Sequence, residues 1–540
     1  MTAGKSDTQT GLRDALRCAW PAMLLAALLL LPFLNTPFTI DDPLYLREAE
    51  HVLTDPLHPQ AFDVVWSDDL SLRASTILPG GIAVPYLLIP TVLAGFAEWA
   101  GHLTQLIFLL AALVATALIA LRLGLSQSQA RIAAILTASC PAVLGMAGTI
   151  MPDIPAMLFV ALGMERIIAW RDQRQSQQAF AAACWLSLAV LTRSHTVACL
   201  AAAFVFLLDG ITPAEVGSSF RRFPARFTPL LLTPLLFLFA SWLTADPQPG
   251  QENIALAMLR LPGGWHLVAR NAIGFLAHWT LVVPLAIPWL VLRARRIHAA
   301  VFLAALLAAA FLYVHLRWIA IPMVISSLAL ADILWVAIQR RDRNRLALWV
   351  WLFPAITIVI YVHLPSKYLL PSMPAVAVLL AGLIPEARRG MVGWLFPSVA
   401  VGGAVLGVLI LLGVRDLAMI QRRAVTDLIE PYTHAGQRVW FAGHWGFQWY
   451  AEHAGASPVT LMPPAPRPGD IIVLSQIAPS LFERKWTNRE ILQRETYPSA
   501  GPGRIMDSGA NAGFFSTHWG YLPWRWGSGD ASRFEVWKVP

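Results

Sequence analysis

Thr39-Ile40-Asp41-Asp42-Pro43-Leu44-Tyr45-Leu46-Arg47-Glu48-Ala49-Glu50 follows directly on the first hydrophobic segment and sets two adjacent carboxylates just past its end. Ionised groups at the edge of a bilayer are costly unless something uses them, so an acidic pair here marks a working surface. Pro43 suits the first position of a helix and Asp42 the capping position before it, because an Asp oxygen accepts an orphan backbone N–H and proline has none to lose. Asp41 is then left free for chemistry. The plainer alternative is that both carboxylates only cap and solubilise a loop helix.

Working outward, the whole chain is apolar: 57% of its 540 residues are hydrophobic and 13% charged, with a mean hydropathy of +0.58. A soluble domain carries about a quarter charged residues. Half that share at this hydropathy means an integral membrane protein. The net charge of +8 comes from short basic clusters between apolar runs, which read as topology signals; no basic stripe interleaved with aromatics points to nucleic acid. Cys18, Cys140, Cys184 and Cys199 lie in or at the edges of hydrophobic segments, so neither a disulfide framework nor a zinc motif is on offer. Lys5, Arg13 and Arg17 precede the apolar run from Trp20 to Leu34 without a small-residue cleavage site, which favours a retained first helix.

Basic clusters stay cytoplasmic, so the stretch between two of them crosses the membrane an even number of times. The rule gives spans at 20–37 and 103–121, with 38–102 as one long external loop. Within it the run 78–97, broken by Gly80, Gly81, Pro85, Pro90 and Gly95, lies in the interface. Spans at 132–150 and 154–170 turn around Met151-Pro152-Asp153-Ile154-Pro155, and a thinned hairpin at 178–209 breaks at Thr192-Arg193-Ser194-His195. Spans at 228–244 and 271–292 flank a second external loop, 245–270. The pair 299–314 and 319–338 turns around His315-Leu316-Arg317-Trp318, and the pair 346–362 and 370–384 around His363-Leu364-Pro365-Ser366-Lys367-Tyr368. A last span at 392–413 completes about 13 helices by this charge rule. The N-terminus is then cytoplasmic. Residues 1–414 form the membrane domain, and 415–540 an extracytoplasmic α/β domain with strands near 437–442 and 470–474 and a short helix at 447–453.

This topology sorts the polar residues to one face. Asp41, Asp42, Asp153, Arg193, His195, Arg317, Lys367 and Tyr368 all fall at external apices, while the cytoplasmic loops are short, basic and otherwise featureless. A sugar on a polyprenyl phosphate presents its phosphate at the bilayer surface and its tail in lipid. Arg or Lys there can stabilise the charge growing on that phosphate, and an Asp can take the proton of an acceptor hydroxyl. The chain holds no glycine-rich phosphate loop or dinucleotide fingerprint, so it requires no cofactor of that kind. His195, His315 and His363 lie near apices and leave a divalent metal open, but no pair has helical ligand spacing. The competing class is a transporter or lipid-carrier flippase, which favours internal repeats and ionisable groups near the midplane; here the helix centres are nearly uncharged.

The loop after the first helix, with Asp41-Asp42 followed by Tyr45, resembles the Asp-Glu-x-x-Tyr pattern of the GT-C superfamily of glycosyltransferases, which includes the protein O-mannosyltransferases and the lipid A aminoarabinose transferase. Asp153 before a proline, and Lys367-Tyr368-Leu369-Leu370-Pro371 with Pro374, are similar to later motifs of that family. The resemblance implies an inner-membrane enzyme that takes a monosaccharide from a polyprenyl-phosphate carrier by an inverting displacement and hands it to a protein, lipid or glycan acceptor. It implies Asp41 as general base, with Asp42 and Asp153 as further acidic residues. Lys367, Tyr368, Arg193 and Arg317 would hold the donor phosphate. Two departures stand out: Asp42 replaces a glutamate, and Gly443-His444-Trp445-Gly446-Phe447-Gln448-Trp449-Tyr450 lacks the Trp-Trp-Asp signature of oligosaccharyltransferases.

Overall fold

The computed structural model describes residues 8–66, 71–78, 81–209, 224–247, 264–294, 296–297, 299–386, 389–460, 463–476, 490–527 and 530–540. The first helix, Thr8–Leu30, shows how the sequence builds the bundle. Ala15, Ala19, Ala22 and Ala26 form one stripe and are fully buried, whereas Trp20, Leu24 and Leu28 on the other side are more than half exposed. Small residues let the helix lie close against Glu98–Arg122 and Gln127–Ala138. Among the described residues nothing buries the outward leucines, and the same holds for Leu231, Leu235 and Phe239. Exposed apolar belts of this extent belong in lipid. The chain is an integral membrane protein.

Among the described residues five helices are long and apolar enough to cross a membrane, or up to seven if two pairs bent by 56° and 59° each count as one span. The tally of about 13 complete crossings is not reproduced. The hairpin at 178–209 breaks at 192–195 as expected, into Ser176–Thr192 and Cys199–Leu207, whereas the segments expected at 346–362 and 370–384 shorten to the helices Arg343–Val350 and Met373–Ala381. A nine-residue helix rises only about 14 Å, against a hydrocarbon core of about 30 Å. Prolines explain much of the shortening: Pro354, Pro365 and Pro371 lack the N–H that an α-helix needs, and 3-10 turns at Pro354–Ile358 and Ser366–Ser372 take its place. Irregular backbone at membrane depth is tolerated where it lines a cavity.

The long first loop holds the helix Asp42–Val52, the antiparallel ribbon Asp63–Val65 with Ser71–Arg73, and the ten-residue helix Val84–Leu93, too short to span. Of the expected loop 245–270, residues 248–263 lie outside the described residues.

The chain's last third carries a five-stranded mixed sheet. Val439–Ala442 pairs in parallel with Ser457–Pro458 on one side and Ile471–Ser475 on the other; Asp530–Lys538 then runs antiparallel between Ile471–Ser475 and Glu490–Pro498. The expected boundary at 414/415 falls inside a continuous helix. Arg389–Leu428 runs for 40 residues, about 60 Å at 1.5 Å per residue. Its far end buries Ile420, Ala424, Val425 and Leu428 against Val439, Phe441, Ile471 and Phe534 of the sheet. The domain also reaches back: Phe514 and Phe515 sit in the core of the helical bundle, where a Cβ on Gly145 would stand 2.4 Å from the Phe514 ring.

Candidate active site where four breaks converge

The turns at 39–42, 192–195 and 363–368 line one cavity of about 340 Å³, and the turn at 148–153 packs behind them through Ile150 and Met151. Asp42 joins two of them. Its side chain makes no capping bond to its own helix, contrary to the sequence expectation; Oδ2 accepts from Thr39 N at 3.1 Å and Oδ1 from Ile150 N at 3.0 Å. Asp42 is fully buried, and burial pushes its carboxyl up to about 7. Asp41 occupies the capping position, makes no capping bond with its side chain, and lines the cavity. The preceding Ile40 has φ +51°, a left-handed conformation that is an outlier for a β-branched residue.

Lys367 stands behind Asp41. Its Nζ lies 3.7 Å from Asp41 Oδ2 and donates to Met151 Sδ at 3.7 Å. The lysine side chain is 2% exposed against 27% for its aspartate partner. The carboxylate therefore faces the cavity and the ammonium does not.

A second pair closes the next side. Asp153, the first residue of the helix Asp153–Gln173, accepts from Arg193 Nη2 at 2.8 Å, and Arg193 ends the helix Ser176–Thr192. The Tyr368 ring organises the neighbourhood: the Arg193 guanidinium lies 5.1 Å from its centre, and the His195 and His363 rings lie 5.3 and 6.2 Å away. Asp153 Oδ1, Arg193 Nε and His195 Nε2 are buried without a hydrogen-bond partner among the described residues. Native structures rarely leave such atoms unsatisfied, and the two on the cavity wall, from Arg193 and His195, mark a place for a polar ligand. Ile77, Leu78, Ile358 and Ile360 form an apolar part of the wall.

Of the residues named from sequence, Asp41, Asp42, Asp153, Arg193, Lys367 and Tyr368 come together. Arg317 does not: it is exposed in the 3-10 turn Arg317–Ile319 between two helices, away from the cavity lining. Sequence reasoning missed Arg270 and His518. Arg270 donates to His518 Nδ1 at 3.0 Å and to Val362 O at 2.9 Å, and the His518 ring lies 6.2 Å from His363 on the cavity wall. Their partnership spans 248 residues, and no local motif announces it. Among the described residues no group of three His, Cys, Asp or Glu side chains is placed to hold a metal ion.

No protein-family model matches the sequence, and no curated protein matches it. Among solved structures, the oligosaccharyltransferase of Archaeoglobus fulgidus in complex with zinc and sulfate is similar at a TM-score of 0.51 and 15% identity, over 82% of this chain and 62% of its own. ArnT of Cupriavidus metallidurans bound to undecaprenyl phosphate matches at a TM-score of 0.48 and 13% identity, over 89% and 96%. The mycobacterial arabinofuranosyltransferase AftD matches at 0.38 and 14%, over 97% and 41%. All three are GT-C glycosyltransferases, and the likeness, carried by the first, is one of fold.

Proposed function

We propose that this chain of GT-C fold is a membrane glycosyltransferase that moves a monosaccharide from a polyprenyl-phosphate carrier to an acceptor on the external face, with its N-terminus cytoplasmic. The observation that carries the reading is Asp41: a carboxylate free of capping duty, open to a polar cavity and backed by a buried ammonium. Asp41 takes the proton of the acceptor hydroxyl as that oxygen attacks the anomeric carbon. The bond from that carbon to the phosphate oxygen breaks on the opposite face, and its electron pair leaves with the phosphate.

Charge balance assigns the remaining roles. Asp41 is matched by Lys367 and Asp153 by Arg193, so neither cation is spare for the leaving phosphate. Lys367 fixes Asp41, and Arg193 orders Tyr368 and Asp153. Arg270 has no carboxylate within ion-pair distance among the described residues, and it supplies the positive charge that receives the phosphate, with the His363 and His518 rings beside it as hydrogen-bonding partners. Small-molecule pockets usually measure about 300–1,000 Å³. A cavity of about 340 Å³ suits one sugar and a phosphate better than an oligosaccharide.

The test is turnover of lipid-linked sugars extracted from membranes, with release of polyprenyl phosphate as the readout. Wild-type protein should consume one of them, and Asp41→Asn should lose about 10²–10⁴-fold. Equal turnover by both overturns the base assignment; no turnover of any lipid-phosphate sugar by the wild type overturns the class.

A further inference from the structure

The external domain grips the segment that delivers Asp41. Phe38 N donates to Tyr450 Oη at 2.8 Å, and that hydroxyl donates to Glu98 Oε1 at 3.1 Å, which also accepts from Arg422 Nη1 at 3.2 Å. Thr39 Oγ1 donates to Gln421 Oε1 at 3.3 Å, and the same oxygen accepts from Phe447 N at 3.2 Å. The backbone approach is closer still: a Cβ on Gly446 would stand 2.2 Å from Phe38 O. Phe38, Thr39 and Gln421 are buried, so these bonds are made away from competing water.

Beyond Ile40, the other end of the segment is held by Asp42 on Ile150 N. Ile40, at φ +51°, sits between the two anchors. A strained residue persists only where its surroundings over-determine it. Without the first anchor the turn would relax toward ordinary backbone angles and carry Asp41 off its line.

We propose that Tyr450 and Gln421 are positioning residues: the external domain clamps Phe38 and Thr39, and so holds the strained turn that aims Asp41 into the cavity. The catalytic half of this statement rests on the function proposed above; the clamp itself does not. A displacement of about 1 Å at a reacting group can cost about 100-fold in rate.

The experiment uses the full-length protein in nanodiscs. Tyr450→Phe removes only the hydroxyl, and Thr39→Val removes only the donor to Gln421. Each should lower kcat about 10- to 100-fold with the KM for lipid donor within about twofold of wild type. Thr39→Ser, which keeps the hydroxyl, should restore the rate, and on an Asp41→Asn background neither change should cost anything more. Hydrogen exchange of the backbone over 36–46 should speed up at least about tenfold in Tyr450→Phe, whatever the turnover. Wild-type exchange there overturns the clamp, and wild-type kcat in both variants overturns its positioning role. An Asp41→Asn protein of full activity removes the catalytic reading alone, and exchange still decides the clamp.

Discussion

One helix carries two buried acidic sites with opposite designs. At its start, Asp153 holds Arg193, which lines the cavity together with Asp41, and keeps one oxygen unpartnered among the described residues. Twelve residues further along, about 18 Å up the axis, Glu165 is fully buried between Arg122 and Arg166, and none of these three lines the cavity. Both sites hold carboxylates by arginine. Each leaves one carboxylate oxygen without a hydrogen-bond partner among the described residues; one only ties helices together, while the other holds Arg193, whose Nε is unspent beside His195 Nε2 on the cavity wall. Burial and pairing alone therefore do not mark function; unfinished hydrogen bonding beside a cavity does.

The sharpest way to break the contrast is to neutralise one carboxylate at each end. Asp41→Asn should cost about 10²–10⁴-fold in kcat per folded molecule, beyond the fall in thermal midpoint that follows from removing the counter-charge of the buried Lys367 ammonium. Glu165→Gln should cost stability alone: about 1–3 kcal/mol, because the Arg122 and Arg166 guanidiniums, 14% and 29% exposed, lose their charge-assisted bonds to it, with normal kcat per folded molecule. Thermal melts beside turnover on the same preparations separate the two.

Arg193→Ala should show both losses at once. It strands the Asp153 carboxylate, which is 1% exposed, at about 3–5 kcal/mol, and it empties one side of the cavity, so activity falls with the melting midpoint. Asp42 sharpens the contrast through pH. Its ordinary carboxyl titrates near 3.9, and burial raises it to about 7 in the folded protein. The folded state thus holds that proton more tightly than the unfolded chain, and stability falls as pH rises from about 4 to about 7. Asp42→Asn should flatten that slope in melts taken across the window. The smallest effect is reserved for Arg317→Ala, which touches neither site: within about 0.5 kcal/mol and no change in rate.

Much of the site was legible because sidedness is written in charge clusters and breaks. Asp41, Asp153, Arg193 and Lys367 could be gathered on one side from the order of apolar runs alone. Their roles were less legible. Lys367 looked like a phosphate ligand in a surface turn, yet Pro365 and Pro371 wind that turn inward and bury the ammonium behind Asp41. Arg317 shared the expected face, but its turn joins helices on the exposed flank. Arg270 with His518, and Tyr450 with Phe38, pair across 248 and 412 residues, which no spacing rule reaches. The same limit hid the run of Arg389–Leu428 through the expected domain boundary, since the last apolar run stops at 413 and the composition changes from Arg415 onward, with nothing local to show that the helix continues.

The central claim is that Asp41 works on a sugar carried by a polyprenyl phosphate. Mass spectrometry of the lipids that co-purify with wild-type protein and with Asp41→Asn tests it most directly. The account predicts a polyprenyl phosphate on the wild type and the same carrier with its sugar still attached on the variant. Only bulk phospholipid on both, or an identical sugar-free carrier on both, would contradict it.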